Sequence, residues 1–360
     1  MPPAPRFTVL HYTGYDEDPG GVVAVIANLA ATGSTDCILG VNPGCVQRRP
    51  SPLPAMELPR VRPETISLGN VVRTRAVARA VRAWLRASPH RIFHGHTRAG
   101  LLVALWLHAW GERRVVASVH CFGRQRWFYR WASRRLGPRL FWLSPAMRAH
   151  YGLPAAGWTQ CLPECVLPAT AGRGPTEPGR LRLAGVGGIL RWKRWDLVVE
   201  AIGRLGPGER RRVRFVHIGT GDAAYLGELR RRVAEHGLGD TVEFRGQVAA
   251  ATPLLAASDA LVVASDREPF SVALLEALAA GVPVIGADCG GTPDIIREGV
   301  NGMLFRSGDA GALAARLRQW LAAPPALDPG AIRQTAYYAA DLAARWEAVY
   351  AGLAAEPSSR

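Results

Sequence analysis

Two glutamates eight residues apart, Glu268 and Glu276, bracket the segment Glu268-Pro269-Phe270-Ser271-Val272-Ala273-Leu274-Leu275-Glu276. Pro269 suits the first turn of a helix, where its missing N–H has no intrahelical partner to lose. Phe270, Ser271 and Val272 are then expected to present free backbone N–H groups at the positive end of that helix. An anion such as a diphosphate fits there. Glu268 lies just before the helix and Glu276 about two turns along it, so one carboxylate can meet a sugar at the helix mouth while the other reaches a ribose along its flank.

Something must hold this helix in place. The chain has 360 residues, 48% apolar and 20% charged, a globular composition and too long a chain for one core, so two domains are expected. Short apolar runs alternate with longer amphipathic stretches throughout. Strands are expected at Phe7–His11, Asp36–Val41, Arg91–His94, Val115–Val119 and Leu140–Leu143, then at Leu181–Val186, Val213–Ile218, Thr241–Phe244, Ala260–Val263, Pro283–Ile285 and Met303–Phe305. Helical patterns fill the gaps, at 72–87, 99–110, 193–205, 222–236, 270–280 and 309–322. This alternation predicts an α/β chain with parallel sheets covered on both faces. A Pro- and Gly-rich stretch between the halves reads as a linker, and 331–353 is a long amphipathic pattern with Tyr337, Tyr338, Trp346 and Tyr350. No stretch has the length of a signal peptide or a membrane span, which predicts a cytoplasmic protein.

After the strand at 260–263 come Glu268-Pro269-Phe270-Ser271, Leu274-Leu275-Glu276-Ala277-Leu278, Gly281-Val282-Pro283-Val284-Ile285, Gly290-Gly291-Thr292-Pro293-Asp294 and Gly299-Val300-Asn301-Gly302. Here the sequence resembles the retaining GT-B glycosyltransferases of family 4, over most of its length and most strongly from 181 to 305. The resemblance implies two Rossmann-like domains with a donor/acceptor cleft between them. It gives an acceptor-side domain over 1–166, a linker over 167–180, a nucleotide-sugar-binding domain over 181–330 and a C-terminal helix in 331–360 that crosses back to the first domain.

It also implies roles. Gly20 and Gly21 match a glycine-rich loop that lets backbone approach the donor phosphates, and His120 matches a histidine that faces the donor sugar. Lys193, the only lysine in the chain, matches the residue that holds the donor diphosphate, within Val186-Gly187-Gly188-Ile189-Leu190-Arg191-Trp192-Lys193-Arg194. The arginine that usually follows the first glycine of this motif is Gly188 here, and Arg191 or Arg194 is the candidate replacement. Gly187, Gly219 and Gly221 complete the expected donor loop, and Gly246 is expected near the nucleotide base. No covalent nucleophile presents itself, so the implied chemistry is front-face transfer with retention, assisted by electrostatic stabilisation of the departing diphosphate. The sugar nucleotide is a substrate, and neither cofactor nor metal is expected. The acceptor is a glycan, a lipid-linked sugar or a small molecule, in cell-surface polysaccharide or glycoconjugate synthesis.

Two other readings have footholds. Gly219-Thr220-Gly221-Asp222-Ala223-Ala224, with Glu243 on the next strand, matches a dinucleotide fingerprint of an NAD-dependent oxidoreductase, though in mid-domain rather than at the first turn. A net charge of +15 invites nucleic acid, but no nucleic-acid-binding motif accompanies it, and none is expected as a partner. The excess sits in residues 1–170, with 21 arginines against 8 acidic residues. Within it, Arg124–Arg139 interleaves arginines with Trp127, Phe128, Tyr129 and Trp131, a candidate contact with an anionic membrane surface. Asp16-Glu17-Asp18 resembles a metal-binding Asp-x-Asp but does not directly follow a strand. Cys161 and Cys165 have no second pair at zinc spacing, and His94 and His96 read as architectural.

Overall fold

The computed structural model describes residues 6–17, 20–47, 52–154, 160–175, 177 and 179–355. Asp18, Pro19, Thr176 and Pro178, which enter the readings above, lie outside the described residues. The chain forms two compact units, one of Met1–Cys165 with Tyr338–Arg360, the other of Val166–Tyr337.

The first unit has strands β1 (Thr8–Tyr12), β2 (Asp36–Val41), β3 (Ala55–Glu57), β4 (Arg91–Gly95), β5 (Val115–Val119) and β6 (Leu140–Trp142). They form one parallel sheet in the order β3-β2-β1-β4-β5-β6. Helices Gly20–Ala31, Leu68–Arg86, Arg98–Ala109 and Arg126–Leu136 connect them. Ser67 and Thr97 cap the second and third of these, accepting from Asn70 and Gly100 N–H, as short hydroxyl side chains do at helix starts. β3 is three residues long and preceded by Pro52 and Pro54, so no strand-length pattern marks it.

The second unit repeats the plan with β7 (Leu181–Val186), β8 (Val213–Ile218), β9 (Val242–Gly246), β10 (Ala260–Val263), β11 (Val284–Ala287) and β12 (Gly302–Phe305). Their order is β12-β11-β10-β7-β8-β9, again all parallel. The short central strands are continuous apolar runs because helices cover both faces. One core joins Leu183, Trp195, Val198, Phe215, Val262, Ile285, Leu313 and Leu317. The Pro- and Gly-rich stretch is bound to this unit: Arg173 and Gly174 N–H donate to the Ala280 and Ala256 carbonyls at 2.8 and 2.7 Å, and Asp259 accepts from Arg182.

The long C-terminal pattern is interrupted. It forms Pro329–Arg333 and Ala339–Ala355, with Asp328 capping the first at Ala331 N–H. The second belongs to the first unit, where it buries Leu342, Ala343, Trp346, Tyr350 and Leu353.

Candidate functional site

In each sheet the order reverses once, between β1 and β4 and between β10 and β7. At such a point the connections leave in opposite directions and open a crevice at the carboxyl ends of the strands. The residues singled out by type and spacing gather at these two places.

In the second unit, the chain leaves β7 through Gly187, whose φ of +141° favours glycine, and turns through the short 3-10 segment Arg191–Lys193. Trp195 Nε1 pins the turn by donating to Gly188 O at 2.9 Å. The loop after β8 presses on it so closely that a Cβ at Gly219 would lie 2.0 Å from Gly187 O, and one at Gly221 would lie 2.5 Å from Ile189 O. The fingerprint glycines thus have a steric reason of their own, backbone packed on backbone beneath the Lys193 turn. Gly246 ends β9 with φ +80° and its carbonyl accepts from Gly219 N–H at 2.9 Å.

The turn delivers Lys193 to Glu268. Lys193 Nζ donates to Glu268 Oε2 at 2.6 Å, with side chains 17% and 4% exposed. Ser265 Oγ donates to the same oxygen at 2.9 Å, and the ammonium sits 4.3 Å from the Trp192 ring centroid, a favourable cation–π position. Backbone bonds lock the two loops together: Asp266 N–H donates to Trp192 O, and Gly291 N–H to Glu268 O, both at 2.9 Å. The Gly290-Gly291 segment of the sequence motif therefore braces Glu268 from behind.

One expectation is corrected. The helix begins at Val272, with Ser271 as its N-cap, two residues later than the expected start at 270. Ser271 Oγ accepts from Leu274 N–H at 3.3 Å, and a hydroxyl cap outcompetes a proline start. Phe270 is accordingly not in the helix but buried, edge-on to Tyr337 at 5.7 Å. Val272 and Ala273 supply the first-turn amides, and Glu276 is half-buried on the same helix.

Both candidates for the missing phosphate-binding arginine already have carboxylate partners. Arg191 Nη1 donates to Glu228 Oε2 at 2.9 Å and its guanidinium lies over Tyr225. Arg194, itself at φ +54°, forks onto Asp196. Lys193 is the cation the fold aims at Glu268.

In the first unit, Gly20 (φ +68°) and Gly21 open the helix Gly20–Ala31. His120, just past β5, joins a row of hydrogen-bonded groups. Its Nδ1 lies 3.1 Å from Glu164 Oε1 and its Nε2 3.0 Å from His96 Nδ1, while His96 Nε2 lies 2.9 Å from His11 Nδ1. When His120 Nδ1–H donates to the Glu164 carboxylate, the row can be ordered one way: each Nδ1–H donates and each Nε2 within it accepts. Both nitrogens of His120 are therefore engaged within this unit. Burial lowers the pKa of His11 to about 3 and puts those of His94 and His96 well below the ordinary imidazole value. Sequence reasoning passed over Ser265, Glu164 and His11. The available signal was that three neighbouring strands each end on or near a histidine.

Comparison with known proteins bears on the family and the fold. Residues 180–323 match the family model for glycosyl transferases group 1. The chain is 42% identical over 82 residues to the N-acetyl-alpha-D-glucosaminyl L-malate synthase of Bacillus anthracis, covering 23% of this chain and 22% of that protein. It is 37% identical over 160 residues to the D-inositol 3-phosphate glycosyltransferase of Geodermatophilus obscurus, covering 41% and 35%. These matches thus span well under half the length of those relatives. The crystal structure of HepE from Anabaena in complex with UDP superposes with a TM-score of 0.73 at 17% identity, covering 96% of this chain and all of that one. The chain has the GT-B fold, and its second unit carries a domain of the glycosyl transferases group 1 family.

Proposed function

We propose that this protein is a retaining glycosyltransferase that binds a nucleoside-diphosphate sugar on its second unit. The observation that carries the reading is the Lys193–Glu268 pair, set at the reversal point of a parallel sheet within the segment that matches the family. Lys193 meets the diphosphate and stabilises its departure, Glu268 meets the sugar, Val272 and Ala273 offer N–H groups, and Glu276 meets the ribose. Preorganised charge at the leaving group supplies most of the rate. In front-face attack the acceptor hydroxyl forms the new bond as the diphosphate leaves, so no covalent nucleophile of the protein is required.

A thermal-shift screen across UDP, GDP and ADP sugars tests the reading, because a ligand that binds the native state raises its stability. The activating sugar nucleotide then serves in a transfer assay. Lys193→Ala and Glu268→Gln are each expected to lower transfer by roughly a hundredfold in folded protein, and Glu276→Ala to weaken nucleoside-diphosphate binding. Near-parental turnover in the first two variants refutes the assignment.

The acceptor is proposed to be a glycan, lipid-linked or small hydroxylated molecule, with the enzyme peripheral on an anionic membrane. Supporting this, the helix Arg126–Leu136 buries Phe128 and Tyr129 but leaves Trp127 69% and Trp131 42% exposed among Arg126, Arg130, Arg134 and Arg135. Indoles and arginines on one exposed surface suit a headgroup boundary. No described helix is long and apolar enough to cross a membrane.

A further inference from the structure

The carboxyl ends of β1 and β4 assemble three histidines that the donor chemistry does not use. His11 lies near the end of β1, His94 in β4 and His96 just beyond it, all buried. One ring nitrogen from each lies within 4.8 Å of the other two, and the His94 and His96 rings stack with centroids 4.0 Å apart. We propose that His11, His94 and His96 bind one divalent transition-metal ion of the imidazole-preferring class, such as zinc, nickel or copper.

The rings need little rearrangement. Two imidazole nitrogens on a tetrahedral zinc stand about 3.3 Å apart, given bonds of about 2.0–2.1 Å, so the 2.9 Å His11 Nδ1 to His96 Nε2 contact opens by a few tenths of an ångström. His94 gives up one of its two hydroxyl partners, Ser118 Oγ at 2.8 Å or Tyr350 OH at 3.1 Å, and the other keeps the ring oriented. His96 is already braced on its far side: Nδ1 meets His120 Nε2, and His120 Nδ1 meets Glu164. A carboxylate relayed through a hydrogen bond is the support that metal-bound imidazoles usually have, and it places a negative charge behind the ligand set. Protons balance, because the His11 proton moves from Nδ1 to Nε2 as Nδ1 takes the ion. The site belongs to the first unit and would tie β1 to β4, a stabilising role.

The test uses the full chain stripped with a chelator, then titrated with Zn²⁺ against a chromophoric chelator and with Co²⁺ under visible absorption. The expected result is one equivalent bound, a ligand-field band with Co²⁺, a higher thermal midpoint, and at least tenfold weaker binding in His11→Gln and in His94→Gln. Binding unchanged in both variants moves the ion to other histidines and overturns the proposal. So does a parent chain without the Co²⁺ band, which leaves a hydrogen-bonded cluster only. If a variant fails to fold, the parent still decides through its stoichiometry and its Co²⁺ band: one equivalent with a ligand-field band is expected, and no tight binding overturns the site.

Discussion

Removing Lys193 strands a carboxylate. In the Lys193→Ala protein, Glu268 Oε2 keeps Ser265 Oγ as a donor, but its side chain, 4% exposed, loses its counter-charge. Truncating one member of a buried ion pair costs about 3–5 kcal/mol. Here the lysine is 17% exposed and water can follow into its place, which brings the cost to or below the low end of that range, about 2–3 kcal/mol. Glu268→Gln in the same background removes the stranded charge while an amide oxygen can still accept from Ser265, so the remaining deficit is of the order of one lost hydrogen bond, about 1 kcal/mol. The double variant is therefore expected to be more stable than Lys193→Ala by about 1–2 kcal/mol. Urea unfolding of the full chain measures the difference, and hydrogen exchange in β7 and β10 assigns the transition to the second unit. A double variant no more stable than Lys193→Ala refutes the claim that Glu268 is a buried charge held by this lysine.

Two further outcomes follow from charge and burial. His11, His94, His96 and His217 have pKa values lowered by burial, His217 to about 4; they stay neutral in the fold while their unfolded counterparts protonate below about 6.5. The stability they contribute is full above that value and lost as pH falls, at up to roughly 1.4 kcal/mol per pH unit for each ring down to about pH 4. Urea midpoints that do not fall between pH 7 and pH 5 contradict this. The full chain is also expected to bind anionic liposomes but not neutral ones, with each arginine at the surface adding about 1 kcal/mol. Arg130 is a poor target because it donates to Tyr151 O at 2.6 Å, so the informative variant combines Arg126→Glu, Trp127→Ser and Arg134→Glu. Parental binding by that variant, still folded, removes the helix as the anchor.

The alternation of apolar runs and amphipathic stretches was enough to read two parallel sheets, because strands buried on both faces leave unbroken apolar runs. β3 escaped because its three residues bury too little to leave a pattern. The helix after Glu268 starts from its serine cap and not at the proline two residues earlier, because the Ser271 hydroxyl reaches Leu274 N–H. The Lys193 and Glu268 positions were legible from local motif, but their contact spans 75 residues, a separation over which periodicity carries no signal. The same holds for the row from His11 to Glu164. Its members sit on four separate segments, and only the strand order places them side by side.

The chain completes its second unit before its first. Val166–Tyr337 is one uninterrupted segment, whereas the first unit waits for residues beyond 337. Those residues carry Trp346, 4.4 Å from His94 and 4.9 Å from Phe141 between ring centroids, and Tyr350, which faces Phe7 at 6.3 Å. At about 5–20 residues per second on the ribosome, the interval between Cys165 and Tyr338 lasts roughly 10–35 s. Throughout it the first sheet lacks the helix that completes its unit. Synthesis thus reverses the order of the two halves: the amino-terminal unit emerges first but is the last to have all of its residues.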